Sequence, residues 1–466
     1  MSDIPDNIVD LKKYIESNIE DSDKYTTQHP LLTKMNNKHA FIESIGGKPM
    51  VASYVYNETV KDEILEFVTP ESILTRYCNE TVQEGKSQVA LGKWWLHHTD
   101  RKQYKTIIFD PSAPKEHNGC LNLWEGFAVT PKQKNNGWKW TLKHIYKIQC
   151  NSNPEKFNYV IKWLAWCLQN PAERPQVSII FKGKQGAGKG FIFDYFCKIF
   201  GQHSMNISNR ELLTGKYNGH LYRLVFLFAD EAYYPGDREV EGVMKELITQ
   251  EFLTYRHLYK EAIKGANRLH IAQSTNSEWV IPAGDDTRRY FINAVDNKYA
   301  KGQANNLLRD LYFSRLFAEM NHGGCEAMLY DLLNMNLYDW HPIRDVPNTE
   351  ELIAQIKLTK TNLQSAIFSI LDDGIFPGIL SADGEYEISA TGFYNYLHET
   401  ETNTKNISMN KKADLVKKLG AEKRRINTGI VWVFPELNAM RENWDKMFGK
   451  FKWDRAIKWQ IVKSQY

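Results

Sequence analysis

The sequence predicts an α/β protein of more than one domain, built around a central parallel sheet. Three observations carry that prediction. At 466 residues the chain is longer than one hydrophobic core ordinarily serves, about 100–200 residues. From residue 155 onward, near-continuously apolar runs alternate with helical ones, the pattern of parallel strands covered on both faces by crossover helices. One of those strand-to-helix junctions is glycine-rich, GKQGAGKG at 183–190. The expected division is a small α+β accessory domain over 1–150, the parallel-sheet domain over 151–330, and a helical, winged-helix-like domain over 331–466.

Composition narrows the class. Apolar residues make up 42% and charged residues 25%, the balance of an ordinary globular protein, which excludes a mostly disordered, collagen-like or coiled-coil chain. With 59 basic and 56 acidic residues the net charge is +3, so any nucleic-acid surface has to be a local patch. The six cysteines form no CxxC and no zinc spacing with histidine, and are expected to be free thiols in a reducing compartment. The acidic N-terminus lacks the profile of a signal peptide, and the apolar run LVFLFA at 224–229 is strand length. These features predict a cytoplasmic protein with no membrane partner.

Taken in order, Ile8, Leu11, Ile15 and Ile19 fall at helical spacing, as a docked surface helix or a partner-binding arm. Residues 35–150 hold short β-rich runs (MVASYVY, KTIIFD), and Trp94, Trp95, Trp124, Trp138 and Trp140 are expected to fill cores there. A helix over 157–170 stops at Pro171; a strand over 177–183, a helix over 191–200, and strands over 223–230 and 268–276 follow. Near the C-terminus, ISATGFYNYLHET and MNKKADLVKKLG read as helices and GIVWVFP as a strand, the helix–helix–wing order of a winged helix.

The loop at 183–190 fits G-x-x-x-x-G-K through Gly183, Gly188 and Lys189, in the strand–loop–helix context that the motif needs. Backbone amides of Gln185, Gly186, Ala187 and Gly190 can curl around phosphates while Lys189 neutralises them. Position 190, usually Ser or Thr, is Gly190, so no hydroxyl can ligate magnesium there and water is expected in its place. Asp230 and Glu231 end an apolar strand 41 and 42 residues after Lys189. There Asp230 would hold the Mg²⁺ shell and Glu231 would orient a water against the γ-phosphate, unless the two are a solvated strand end. Asn276 ends the next strand and can hydrogen-bond the γ-phosphate or the attacking water. Arg288 and Arg289 follow; one would reach a neighbouring subunit's nucleotide in a ring ATPase, or the pair bridges to Asp285 or Asp286. Two β-prone runs around EAIKGA predict a hairpin turning near Gly265.

The order GKQGAGKG, FADEA, MKELIT and QSTNSEWVIPAGDDTRRYF resembles the superfamily 3 helicases, and more narrowly the primase-helicase proteins of phages, plasmids and related mobile elements. The likeness extends to NKHAF, IGGKPMV, FDPS and NLWEGFAV upstream, and to GGCEAMLYDLL and the VPNT turn at 346–349 downstream. It implies an AAA+-like ATPase that uses ATP and Mg²⁺ and moves as a hexameric ring along single-stranded and fork DNA. Walker A is then Gly183, Gly188 and Lys189, and Walker B is Asp230 and Glu231. Asn276 matches the sensor and Arg289 the arginine finger. The hairpin would project into the ring channel with Lys260 and Lys264 at its tip and His257 and Arg268 in support; a surface lysine is otherwise simply solvated. The basic segment at 411–425, with Lys423, Arg424 and Arg425 at its end, either meets the DNA backbone outside the ring or is a solvated face. No apolar run in 1–150 ends in D-x-D or D-x-E, so a primase or polymerase is expected on a separate chain, if there is one. Two other classes share part of the pattern: an origin-binding or assembly factor with little unwinding, and a P-loop kinase of small molecules.

Overall fold

The computed structural model describes residues 29–58, 62–231, 238–256, 262–277, 289–303, 305–359, 362–427, 429–448, 451, 453 and 458–462. The helix expected through Ile8, Leu11, Ile15 and Ile19 lies outside them. The chain divides into two compact units between Leu123 and Trp124. Residues 124–150, expected with the N-terminal domain, therefore belong to the second unit.

The first unit is α+β. His39–Ile45, Lys48–Asn57 and Asp62–Val68 form an antiparallel meander, and Gln103–Tyr104 adds a parallel edge. Gly46 and Gly47, with φ of 57° and 77°, make the tight first hairpin turn that only residues without a Cβ adopt freely. Leu32, Met35, Val51, Ile73 and Trp95 build its core. Of KTIIFD, only Ile107–Ile108 is strand.

The second unit opens with Lys139–His144 and a wider helical turn over Ile145–Gln149. Helix α1 (Pro154–Gln169) follows, with Pro154 in its first turn, where the missing N–H costs nothing, and the Asn153 side chain capping the Lys156 amide. Strand β1 (Ser178–Lys182) leads into the glycine loop and helix α2 (Phe191–Phe200). Next come β2 (Ser204–Ile207), β3 (Phe226–Asp230), α3 (Arg238–Thr249), a hairpin of β4 (Phe252–Tyr255) and β5 (Ile263–Ala266), then β6 (His270–Thr275), β7 (Tyr290–Ala294) and α4 (Asn306–Glu319).

The sheet order is β2-β3-β6-β1-β7, with every neighbouring pair parallel. Ile179, Ile180 and Phe181 are fully buried in β1, as a central strand covered on both faces requires. Aromatic rings from α2 clamp the sheet: Phe193 stacks on Phe181 at 5.1 Å, and Phe200 on Phe226 at 5.7 Å. Burying each such ring stabilises the fold by about 1.5–3 kcal/mol. The connection out of β1 runs to one edge of the sheet (β2) and that out of the neighbouring β6 runs to the other (β7), so a crevice opens between the C-terminal ends of β1 and β6.

The hairpin occurs, but its turn is not at Gly265. That glycine lies inside β5 opposite Leu253, and a Cβ there would stand 2.8 Å from the Tyr222 ring. Close packing explains this glycine, not a turn.

The C-terminal part runs α5 (Asn362–Asp373), β8 (Tyr386–Ser389), α6 (Ala390–Thr400), α7 (Met409–Lys418), β9 (Glu422–Ile426) and β10 (Gly429–Phe434). Ser389 and Ser408 cap the two consecutive helices. Leu371, Leu397, Trp432 and Trp444 are at most 1% exposed and form a core of their own. Among the described residues no helix is long and apolar enough to cross a membrane, and all six cysteines are free thiols.

Candidate functional site

The crevice is a cleft of about 570 Å³ whose floor is the glycine loop. Several neighbours fix that loop. The Gly183 amide donates to the Thr275 carbonyl at 3.1 Å, and the Lys184 amide to Asn297 Oδ1 at 2.8 Å. From the far side, Gln149 Nε2 donates to the Gly188 carbonyl at 3.0 Å and to the Lys189 carbonyl at 3.2 Å. His144 Nε2 meets the same Gly188 carbonyl at 3.2 Å, and its Nδ1 lies 2.9 Å from the Tyr312 hydroxyl. Burial holds His144 down at about 4, so the ring is neutral, donates from Nε2 and accepts at Nδ1.

Three glycines have steric reasons. Gly188 has φ 86°, and a Cβ there would stand 2.7 Å from the His144 ring. At Gly183 a Cβ would meet Val295 Cγ2 at 2.5 Å. Gly190 has an ordinary backbone (φ −80°, ψ −11°), yet its Cβ would stand 2.8 Å from Phe228 Cζ. The absence of Ser or Thr at 190 is thus matched by a phenylalanine that fills the space.

Lys189 is only 6% exposed. Its Nζ donates to the Gly183 carbonyl at 2.7 Å, to the Lys184 carbonyl at 3.3 Å and to Asn276 Oδ1, and lies 4.0 Å from Glu231 Oε1. Burial lowers its pKa, opposed by the charges of Glu231 and Asp230. Asn276 turns its Nδ2 to Glu231 Oε1, and Ser274 Oγ donates to Asp230 Oδ1. Glu231 adopts φ 55°, a left-handed conformation that costs a residue with a Cβ about 1–2 kcal/mol. Its amide, donating to the Ser274 carbonyl at 2.9 Å, helps to hold it there.

Lys189, Asp230, Glu231 and Asn276, which lie on three separate stretches of chain, therefore meet at the C-terminal ends of β1, β3 and β6. The cleft also contains residues that the sequence pattern does not single out. Asp194 projects from the first turn of α2, and Lys301, in the turn before α4, and Arg309, on α4, line the opposite side. Asp194 is exposed toward the cleft, and its carboxyl is pushed up to about 6, first by desolvation and then by the charge of Asp230. Its one signal is its position four residues after Gly190, on the same helix face; His144, Gln149 and Asn297 carry none.

The other expected residues lie elsewhere. Arg289 immediately precedes β7, whose Tyr290 pairs with Ser178 at the start of β1, so it stands at the end of the sheet away from the cleft. Arg288, His257 and Lys260 lie outside the described residues. Lys264 is not at the hairpin tip but in β5, opposite Thr254, with Nζ 5.2 Å from the Phe252 ring centre. Arg268 follows β5 and donates to the Ala172 carbonyl, so it braces the sheet and does not point along the hairpin. Lys423, Arg424 and Arg425 are exposed on β9. Arg424 is engaged by Glu385 through two contacts of 2.6 and 3.2 Å, and Lys423 Nζ lies 6.0 Å from the Trp432 ring centre.

A lysine on a phosphate-sized loop, two carboxylates and an amide can bind a polyphosphate and polarise a water beside it. Among the described residues no three His, Cys, Asp or Glu side chains converge to hold a metal unaided. Asp230, with Asp194 and Glu231 in the same cleft, suits Mg²⁺ delivered with a nucleotide, because that ion takes one or two carboxylates and completes its shell with phosphate and water.

Residues 181–289, which include most of this cleft, match a family of unknown function (DUF5906). The DNA primase-polymerase of Nitratiruptor phage NrS-1 is 30% identical over 200 residues, 41% of this chain but only 27% of that protein. The chain thus spans about a quarter of that relative's length. The apo structure of the NrS-1 C-terminal region superposes with a TM-score of 0.62 at 17% identity, covering 87% of this chain and 97% of that one. Its A form also gives 0.62, at 18% identity, over 86% and 97%. This chain shares its fold with the C-terminal region of NrS-1.

Proposed function

We propose that the chain is the motor portion of a phage or mobile-element replication protein. In this reading it is an Mg²⁺-dependent, AAA+-like ATPase of superfamily 3 helicase type, acting in the host cytoplasm as a homo-hexameric ring on single-stranded and fork DNA. The observation that carries it is the convergence of Lys189, Asp230, Glu231 and Asn276 on one glycine loop at the switch point of a parallel sheet. The named activity of the NrS-1 relative, primase-polymerase, supports a setting in DNA replication.

The geometry supports the following roles. Lys189 exchanges its backbone and Asn276 partners for the β- and γ-phosphates, and the loop amides complete the cradle. Bound Mg²⁺ would supply charge neutralisation between those phosphates, with Asp230 holding its shell. Glu231 orients the attacking water and accepts its proton, and Asn276 reports on the γ-phosphate. Arg289, remote from its own cleft, completes the site of a neighbouring protomer, which makes the ring the active species. A primase or polymerase function would come from other sequence, on a separate chain or otherwise.

Helix, strand, two helices and a hairpin at the C-terminus support a winged-helix-like module whose β9 contributes Lys423, Arg424 and Arg425 to a backbone contact with DNA. The β4–β5 hairpin, with Lys260 and Lys264, is the proposed channel contact, and Arg268 stabilises its root. The test is ATP hydrolysis with and without single-stranded DNA. Stimulation by DNA is expected. Turnover indifferent to DNA but dependent on a small-molecule acceptor points to a kinase, and nucleotide binding without turnover to an assembly factor; either result overturns the motor reading.

A further inference from the structure

We infer that Asp194 is the oxygen donor on the magnesium side of the cleft that residue 190 lacks a side chain to supply, bonded to the ion or to a water in its shell. This rests on the nucleotide reading above and deepens it. In a loop of this kind the residue after the lysine ordinarily offers a hydroxyl to the metal. Here that is sterically closed: Phe228, 1% exposed and packed against Phe193, stands 2.8 Å from where a Cβ at 190 would be.

Asp194 sits one helical turn further on. Its amide donates to the Gly190 carbonyl at 3.0 Å, which places its side chain on the same face of α2 as position 190. The carboxylate reaches back: Asp194 Oδ2 is 3.9 Å from the Cβ position of residue 190, the region into which a serine or threonine hydroxyl would project. Asn206 Nδ2 donates to the other oxygen at 3.3 Å. Asp194 therefore faces the cleft together with Asp230 and the loop. Two carboxylates share that side, and the nearby cations have other partners: Lys189 meets the Gly183 carbonyl, Asn276 and Glu231, Lys198 donates to Asn321 Oδ1 at 3.1 Å, and Arg309 pairs with Asp310 at 3.0 Å. A pair of carboxylates beside a phosphate-sized loop suits a divalent cation that enters with its phosphates.

The test compares binding of a fluorescent ADP analogue (N-methylanthraniloyl-ADP) to the full chain in Mg²⁺ and in EDTA. Wild type should bind more tightly in Mg²⁺. Asp194→Asn, nearly isosteric and on an open wall, should lose about tenfold or more of that gain. Its affinity in EDTA should be unchanged or higher, because one negative charge near the diphosphate is gone. Mn²⁺ electron paramagnetic resonance of the ternary complex should show the same loss of ion affinity. An Asp194→Asn protein with the full wild-type Mg²⁺ gain overturns the assignment, as does one weakened equally in both buffers, which marks a structural role. If wild type binds the analogue in neither buffer, the nucleotide reading itself falls and takes the assignment with it.

Discussion

Placing a serine at position 190 should damage this protein, although serine or threonine is usual at that place in such a loop. The backbone there (φ −80°, ψ −11°) accepts any L-residue, so no dihedral cost arises. Serine ahead of α2 would gain only a few tenths of a kcal/mol over glycine as a cap, on the order expected for such exchanges. Against that, the new Cβ would lie 2.8 Å from Phe228 Cζ and 3.2 Å from Cε1, where ordinary carbon contacts are about 3.5–4.0 Å. Phe228 has little room to yield, with Phe193 5.3 Å away between ring centres. Overpacking of this kind costs about 1–3 kcal/mol, so Gly190→Ser should lose roughly 1–2.5 kcal/mol. At about 2–4 °C per kcal/mol, the melting temperature should fall by roughly 2–10 °C. Phe228→Leu removes the clashing atoms, so the double variant should be more stable than the sum of the single losses, with a coupling of about 1 kcal/mol or more. Thermal and urea melts of the four proteins measure the cycle. A Gly190→Ser protein as stable as wild type, or strict additivity with Phe228→Leu, refutes the steric account of this glycine.

Other outcomes follow from the same geometry. Lys189→Ala should abolish nucleotide binding, whereas Glu231→Gln should bind normally and turn over at least about 100-fold more slowly, the scale of a missing general base; equilibrium binding and phosphate release separate the two. Arg289→Ala should bind ATP but stay inactive alone, and regain some activity when mixed with Lys189→Ala; an active monomer in sedimentation contradicts that scheme. His144 and His270 are buried and held down at about 4 against an ordinary 6.5. The unfolded chain therefore takes up protons first, and the stability they contribute, on the order of 3 kcal/mol each, is full above pH 6.5 and drains as pH falls toward 4. A melting temperature flat from pH 7 to pH 4.5 would count against both assignments. Lys423→Ala with Arg425→Ala should flatten the salt dependence of DNA binding, by a log–log slope of about 0.7–0.9 for each phosphate left without its cation. Arg424→Ala should change it less, because Glu385 already neutralises that guanidinium; filter binding at several salt concentrations distinguishes them.

The sequence exposes whatever depends on local pattern. Helix α2 has the bounds that its pattern predicts, 191–200, because its apolar face and the glycines on either side define it without help. Strands β1, β3 and β6 stand out as apolar runs, although each is shorter than its run, since β3 begins at Phe226 and not at 223. Strand β2 is invisible: in Ser204–Ile207 only Ile207 is buried, so an edge position leaves no periodicity to find. β7 looks in sequence like the tail of the TRRYF motif, and its role as the strand beside β1 comes only from long-range pairing. In the cleft, Lys189, Asp230, Glu231 and Asn276 are legible because each closes an apolar strand or loop. The second rank is not. Gln149 and His144 grip the loop from some forty residues upstream, and Arg309 comes from a helix more than a hundred residues downstream. Nothing in their own neighbourhood marks them. Gly265 misleads for a related reason: a glycine kept for contact with an aromatic ring looks, in sequence, like one kept for a turn.

The route from β3 to the β4–β5 hairpin has a mechanical meaning. After Glu231 the chain returns along α3, twelve residues or about 18 Å of helix, before it enters β4. The hairpin is rooted at the opposite end of the sheet, where the Gly219 amide donates to the Arg256 carbonyl just ahead of β3 and Tyr222 packs on Gly265. On the motor reading proposed above, fuel and load would sit at the two ends of this helix. Asn267 pins the far end, donating to the Leu247 carbonyl at 2.7 Å and to the Gln250 carbonyl at 2.9 Å. A stiff helix pinned at its far end carries a displacement with little loss, so on that reading a shift delivered to the first turn of α3 would reach the hairpin root nearly undiminished. Stroke length would then be set by leverage beyond the root, in the span of the hairpin itself, and lengthening or shortening that hairpin would regear such a motor while leaving its nucleotide cleft untouched.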